Sequence, residues 1–329
     1  MLRRSAVDDR PEVTYERDWL LRRDFLEKSG YRLRPKFYPG MKLKELRGRD
    51  LSEYGAKHAR RSIMDAQRIS DGSQVLLKSV STAEHPEEVG IARLLASPPH
   101  AGHSRNHSIP ILDILDDPLD SDRHILVMVR CVRIDDPAFD TVGEVVDCLK
   151  QTFESIEYMH EHFIAHRDCN SLNFVQDPTR LYPDGFHPVI THYGRKYRTI
   201  ARTITRTECW PRYYAIDYGL SRQYDPAHGP PLEDVILGGD QSPPEHQDGS
   251  PFECNPFPTD VYFLGNMIKE DFLYSELGLQ TPTPHPPLLF LQPLIDEMTL
   301  PDPAKRPTIG EAIQKLDDLC GRLSNWELR

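Results

Sequence analysis

The chain has no apolar run approaching the ~20 residues that a membrane-crossing helix needs. Cysteine is sparse: Cys131, Cys148, Cys169, Cys209, Cys254 and Cys320 lie far apart, with no C-x-x-C pair among them. That spacing argues against a zinc site and a disulfide framework, and it suggests a reducing compartment, cytoplasmic or nuclear. A secretory leader is not evident either, because Met1-Leu2-Arg3-Arg4-Ser5 runs into acids rather than an apolar core. Basic charge is in deficit, with 40 Lys+Arg against 51 Asp+Glu and a net charge of −11. A globally acidic chain is a poor non-specific binder of nucleic acid, so neither nucleic acid nor a membrane is an expected partner. The deficit is uneven. Residues 1–61 hold 17 Lys+Arg against 10 Asp+Glu. That basic stretch reads either as solvated faces of a helix and a strand or as a surface for an acidic partner.

What is present is enough chain, 329 residues, to bury a large core in one two-lobed unit or two domains. Residues 1–13 read as a disordered tip. Tyr15 to Lys28 reads as a helix with Trp19, Leu20, Phe25 and Leu26 largely on one face, ended by Ser29-Gly30. An extended segment follows, Tyr31 to Gly40. Residues 1–46 carry too few apolar side chains for a core of their own and are expected to pack on a lobe. Ile63 to Ala66 and Gln74 to Val80 read as strands about an Asp71-Gly72 turn. His85 to Leu95 reads as a helix, Ile109 to Leu115 and His124 to Val129 as two further strands. Thr141 to His162 reads as a long helix, with Val145, Val146, Leu149, Phe153, Ile156 and Met159 at helical spacing and Thr141 as N-cap.

That long helix delivers the chain to His166-Arg167-Asp168-Cys169-Asn170-Ser171-Leu172-Asn173, an H-R-D-x-x-x-x-N pattern, and Asp217-Tyr218-Gly219 follows downstream. Over roughly residues 50 to 322 the chain resembles a eukaryotic-type protein kinase domain. In finer detail it resembles the kinase-like proteins expanded in mushroom-forming fungi, through Met64-Asp65-Ala66 with Ile69-Ser70-Asp71-Gly72, Tyr182 to Pro188, and Gly238-Gly239-Asp240. The resemblance implies an α+β, two-lobed, protein-kinase-like fold. Residues 47–132 would form a small antiparallel β lobe with one helix that binds nucleotide. Residues 133–329 would form a larger, mainly helical catalytic lobe. It also implies ATP and Mg²⁺ as cofactors and a protein as substrate; it sets no oligomeric state.

Carried over position by position, the resemblance gives Lys78 the α/β-phosphates and Glu88 the task of pairing with it, Glu87 being the adjacent rival. Ile63 would touch the nucleotide, and residues 130–139 would form the hinge that holds adenine, preceded by Val127 or Met128 as the bulky residue. Asp168 would accept or orient the proton of the attacking hydroxyl. Asn173 and Asp217 would hold Mg²⁺. Arg167 would meet a phosphorylated residue or a permanent acid (Asp240, Glu233 or Asp234), Ser221, Tyr224 and Ser242 being the few candidate phosphorylation sites between residues 220 and 243. The Glu245–Arg306 pair and Asp260 would brace the large lobe. Cys169 reads as filler, since a cysteine enzyme would want a histidine-based partner.

Three features depart from the kinase pattern. No glycine-rich loop precedes Lys78; Ala56-Lys57-His58-Ala59-Arg60-Arg61 stands in its place, and His58, Arg60 or Arg61 would have to replace backbone contacts with side chains. Asn170 replaces the lysine that serine/threonine kinases place after the catalytic aspartate. Between Asn173 and Asp217 lies an insertion at about residues 178–212, rich in arginine, which reads as a contact for an acidic substrate or partner or as a solvated loop. The expectation is a protein kinase, acting on serine or threonine before tyrosine. The alternatives are a pseudokinase scaffold and a small-molecule phosphotransferase.

Overall fold

The computed structural model describes residues 14–38, 55–195, 197–236, 239–247, 252–276, 279–280 and 283–329. The expected tip at residues 1–13, residues 39–54 at the end of the expected N-terminal extension and the start of the expected small lobe, and Gly238 lie outside these.

The chain is α+β. Helix α1 (Thr14–Lys28) and strand β1 (Tyr31–Leu33) come first. Strands β2 (Ile63–Arg68) and β3 (Gln74–Ser81), helix α2 (Glu88–Leu95), and strands β4 (Ile111–Asp116) and β5 (Arg123–Val129) follow. The five strands form one antiparallel sheet in the order β1-β2-β3-β5-β4. Side chains alternate across it, as the pleat requires. Val75 and Leu77 of β3, with Ile125 and Val127 of β5, face a core shared with Trp19, Leu26, Tyr31 and Leu33. The next residues along each strand therefore point the other way: Leu76 and Met128 meet in a second cluster, while Leu126 joins the main core. A one-residue slip would turn Lys78 away from the cleft, and the pairing Lys78↔Leu126 prevents it.

The N-terminal segment is more than a neighbour of the sheet. Tyr31↔Arg68 and Leu33↔Ala66 make β1 its edge strand, and the expected boundary at residue 46 lies outside the described residues. Among the described residues, α1 lies beside this sheet together with α2. Helix α2 begins three residues after His85, because His85 and Pro86 are spent on the turn that enters it.

Beyond β5, the short strand β6 (Val132–Arg133) leads to helix α3 (Val142–Glu161), whose Thr141 Oγ1 accepts from Glu144 N at 3.1 Å. Next come β7 (Ile164–Ala165), β8 (Phe174–Gln176), the one-turn α4 (Arg206–Cys209) and β9 (Tyr213–Ala215). Helices α5 (Pro256–Met267), α6 (Gln292–Met298) and α7 (Ile309–Cys320) complete the main core around α3.

Candidate active site

Strands β8 and β9 pair antiparallel with Phe174 opposite Ala215, and Ile216 N donates to Asn173 O at 2.9 Å. Everything between them is one long excursion from a hairpin. Asn173 and Asp217 therefore stand side by side although 44 positions separate them.

Asp260, fully buried near the middle of α5, holds the loop before Asn173 from beneath. Its carboxylate accepts from His166 N at 2.8 Å, Arg167 N at 2.6 Å and His160 Nε2 at 3.0 Å. This grip maintains Arg167 at a left-handed φ of +68°, a strain that persists only where the surroundings impose it. Asp168 next emerges into the cleft. Its Oδ2 accepts from Asn173 Nδ2 at 2.6 Å and its Oδ1 from Asn170 Nδ2 at 2.8 Å. Asn173 thus turns its nitrogen toward Asp168 and keeps its amide oxygen as an acceptor for a hard cation. Burial raises the Asp168 carboxyl above the ordinary aspartate range.

Asp217, at φ +66°, meets two cations. Lys78 Nζ lies 2.7 Å from Oδ1 and Arg60 Nη1 2.8 Å from Oδ2. Burial pushes this carboxyl up, but Lys78 and Arg60 overcome it and bring it to about 2, so it is ionised at any working pH. Lys78 also pairs with Glu88, the first residue of α2. Burial works against the lysine's charge, yet two carboxylates around one ammonium hold its pKa above the usual value. Glu88 is 1% exposed, and burial leaves its carboxyl raised even with Lys78 beside it. The rival Glu87 turns outward, accepting from Gln223 N at 2.8 Å. Gly219 is tightly packed: a Cβ there would lie 3.1 Å from His85 Nδ1 and 3.3 Å from both Asp217 Oδ1 and Glu88 Oε2, so these side chains would have to give.

Behind this cluster is a cavity of about 250 Å³ lined by Leu76, Ile109, Met128, Val175 and Ile216 and by residues 129–133. Met128, not Val127, is the bulky residue before the hinge; Val127 belongs to the α1 side of the sheet. An apolar slot with backbone groups along one edge suits a flat base. Ile63, expected at the nucleotide, is half-buried opposite Lys78 on β2 and is not among the residues lining the slot.

Two lining residues, Val189 and Thr191, were not foreseen; they belong to the insertion. Part of the insertion is packed, and part of it is exposed. Leu181, Tyr182, Phe186 and Cys209 form a cluster with Val132. Tyr182 and Thr191 both hydrogen-bond Asp136, Arg130 donates to Pro188 O at 2.9 Å, and Gln74 of β3 donates to Phe186 O at 3.1 Å. Of the arginines that suggested an acidic partner, Arg206 is buried, while Arg180, Arg195, Arg198 and Arg202 keep exposed side chains. Arg206, 1% exposed, donates to Gln176 Oε1 and the carbonyls of Ile134, Pro137 and Ala138. Arg180 donates to Cys209 O, Arg195 to Asp184 O, and Arg212 to Ser104 O and Asn106 O.

The residues expected to brace the fold make the following contacts. Arg306 meets Glu245 through two bonds, 2.6 and 2.7 Å. Arg167 ion-pairs with Glu233 at 3.4 Å and donates to Asp234 O at 2.7 Å, while Asp240 accepts from Asn266 instead. Ser221 is buried, its hydroxyl donating to His166 O at 3.0 Å, and so is closed to modification. Tyr218 is buried and donates to Ala215 O at 3.0 Å. Cys169 is buried, and its thiol is held well above the ordinary range by burial, so it is no nucleophile.

Among the described residues no cluster of three or more His, Cys, Asp or Glu side chains stands ready to hold a metal alone. The donors on hand, the Asp217 carboxylate and the Asn173 amide, suit a cation that shares its shell with phosphate oxygens and water. No described helix is long and apolar enough to cross a membrane.

No family model matches the chain. Among curated proteins, it is 26% identical over 220 residues to a protein named light-sensor protein kinase from Ceratodon purpureus, an alignment covering 60% of this chain and 16% of that protein. The chain thus spans about a sixth of the relative it matches. The likeness supports a kinase-like protein; the narrower fungal resemblance finds no support in it.

Proposed function

We propose that the chain is a Mg-ATP-dependent protein kinase that phosphorylates protein hydroxyls, serine or threonine before tyrosine. The observation that carries this reading is the convergence of Lys78, Glu88, Asp217, Asn173 and Asp168 on one cleft, next to an apolar slot bordered by the hinge. Mg-ATP supplies the phosphoryl group and a cation that offsets its charge. The chain's own residues do the rest. Lys78, kept extended by Glu88, holds phosphate oxygens. Asp217 and the Asn173 oxygen hold the cation. Asp168, fixed by two amides, accepts or orients the proton of the acceptor hydroxyl. Phosphoryl transfer asks for positioning and electrostatics more than covalent chemistry, which such a set provides.

A second reading, a pseudokinase scaffold, is favoured by Asn170 in the place of a lysine and by the glycine-free segment 56–61. Thermal stabilisation by ATP with and without Mg²⁺, followed by turnover, on the natural protein and Asp217→Asn, separates the two. Mg-dependent stabilisation with turnover, both lost in the variant, supports the kinase. Stabilisation without turnover supports the scaffold.

A further inference from the structure

The geometry points to Arg60 as a phosphate-binding side chain that replaces the missing glycine-rich loop, presented by a segment that the N-terminal α1–β1 unit holds in place. This rests on the kinase reading and goes beyond it to a residue and a structural device.

Segment 56–61 runs directly into β2, and Ile63 stands opposite Lys78, so the segment lies over the cleft. Without glycine, its backbone N–H groups cannot approach a phosphate closely. A guanidinium reaches farther than a backbone amide and matches phosphate oxygens in pairs. Arg60 already spans that distance: it is 62% exposed on its side chain, yet its Nη1 is 2.8 Å from Asp217 Oδ2. Lys78 sits on the other oxygen of the same carboxylate. The two cations flank the group expected to hold the metal, and a triphosphate delivered there would meet both.

A glycine-rich loop is mobile; this segment is tied at both ends by α1 and β1 and the residues after it. Ala56 O accepts from Arg34 Nη2 at 3.1 Å and from Lys36 Nζ at 3.0 Å. Arg61 O accepts from the Trp19 indole at 3.0 Å. His58 and Arg34 both meet the buried Asp65 of β2, at 2.9 Å each. The ammonium of Lys36 is itself largely buried and paired with Glu16 of α1. Burying charged groups to fix one short loop is costly, and what the loop presents to the cleft is Arg60.

The test is calorimetric binding of MgATP and of adenosine to the natural protein, Arg60→Ala, Arg60→Lys and Trp19→Phe. Arg60→Ala weakens MgATP about tenfold or more, the worth of a charge-assisted phosphate contact, and leaves adenosine within about twofold. Lysine restores part of the loss. Trp19→Phe keeps the ring in its core, removes one donor to Arg61 O, and shifts MgATP in the same direction by less. A general loosening of the lobe would weaken adenosine as well, and that result overturns the positioning role of the α1–β1 unit. MgATP binding that is unchanged or tighter in Arg60→Ala overturns the role of Arg60, marking it as a plug on Asp217, and leaves the kinase reading intact. A natural protein that binds no MgATP overturns both.

Discussion

Replacing Lys78 by methionine keeps a stem of similar length and removes the charge from the centre of the cleft. Asp217 keeps Arg60 as a partner after this change. Glu88 keeps no ion pair among the described residues: it is 1% exposed, Lys78 is its ion-pair partner, and its Oε2 already lacks a hydrogen bond. Breaking a buried pair from one side costs about 3–5 kcal/mol, a fall in Tm on the order of 10 °C for a chain of this size. The cost depends on pH. Burial holds the Glu88 carboxyl above its ordinary value even with Lys78 beside it, and the variant removes the lysine's opposing pull. A carboxyl raised in the folded state stabilises fully below its unfolded pKa, about 4.3. It loses that contribution as pH climbs through the folded value. Lys78→Met should therefore lie closest to the natural protein in mild acid and farthest from it at about pH 8. Lys78→Met with Glu88→Leu should recover most of the loss, since an apolar substitute for a buried ion pair is often neutral or better. Urea unfolding of the three proteins at about pH 5.5 and about pH 8 reads this directly. A single variant within ~1 kcal/mol of the natural protein at the higher pH, or a double variant weaker than the single, refutes the reasoning.

Asp168→Asn leaves the Asp260 brace untouched and loses one of the two amide hydrogen bonds, since asparagine offers a single acceptor oxygen, costing about 1 kcal/mol; turnover should fall by about 10²–10⁴-fold with MgATP affinity little changed, checked by phosphoryl transfer beside calorimetry. Arg306→Ala strips Glu245 of both guanidinium bonds and should cost about 3–5 kcal/mol near neutral pH. Burial pushes the Glu245 carboxyl up, but Arg306 and Thr259 hold it below its usual value. Its contribution is therefore present above the unfolded pKa and lost as pH falls through the folded one, so the gap between variant and natural protein should narrow in acid on a Tm-against-pH plot. Gly239→Ala places a Cβ about 3.3 Å from Asp168 Oδ1 at a φ of +71°. A strain of ~1–2 kcal/mol and a shifted Asp168 should lower kcat more than MgATP affinity, as steady-state kinetics would show.

The parts of the fold legible in the sequence were those set by short-range rules. The kinase resemblance marked Lys78, helical spacing marked α3, and the motif residues fixed which loops must converge. What escaped depended on partners far away in the chain. Glu88 is favoured over its neighbour Glu87 by the helix pattern alone, and the single residue of rotation between them around α2 puts Glu88 on Lys78 and Glu87 on Gln223. The three residues of β1 are too few for a pattern, and they become a strand only because β2 offers an unpaired edge. Arg206 illustrates a different failure. Composition reads arginine as exposed, but a guanidinium has five donors, and an inner site with enough carbonyl oxygens can satisfy them. Arg206 is placed against such oxygens, over the Phe139 ring at 4.1 Å.

The insertion shows why motif spacing tolerates so much variation. Closing a loop grows costlier only with the logarithm of its length, so tripling the residues between Asn173 and Asp217 adds about 1 kcal/mol. The hairpin ends bear the constraint, and the β8–β9 pairing together with the Ile216-to-Asn173 bond supplies it. The inserted chain brings its own compensation through Leu181, Tyr182, Phe186 and the buried Arg206. Once folded against the hinge, it also contributes Val189 and Thr191 to the slot. Its cost to the site is therefore small, and any selectivity it adds among bound bases comes from residues that no kinase motif specifies.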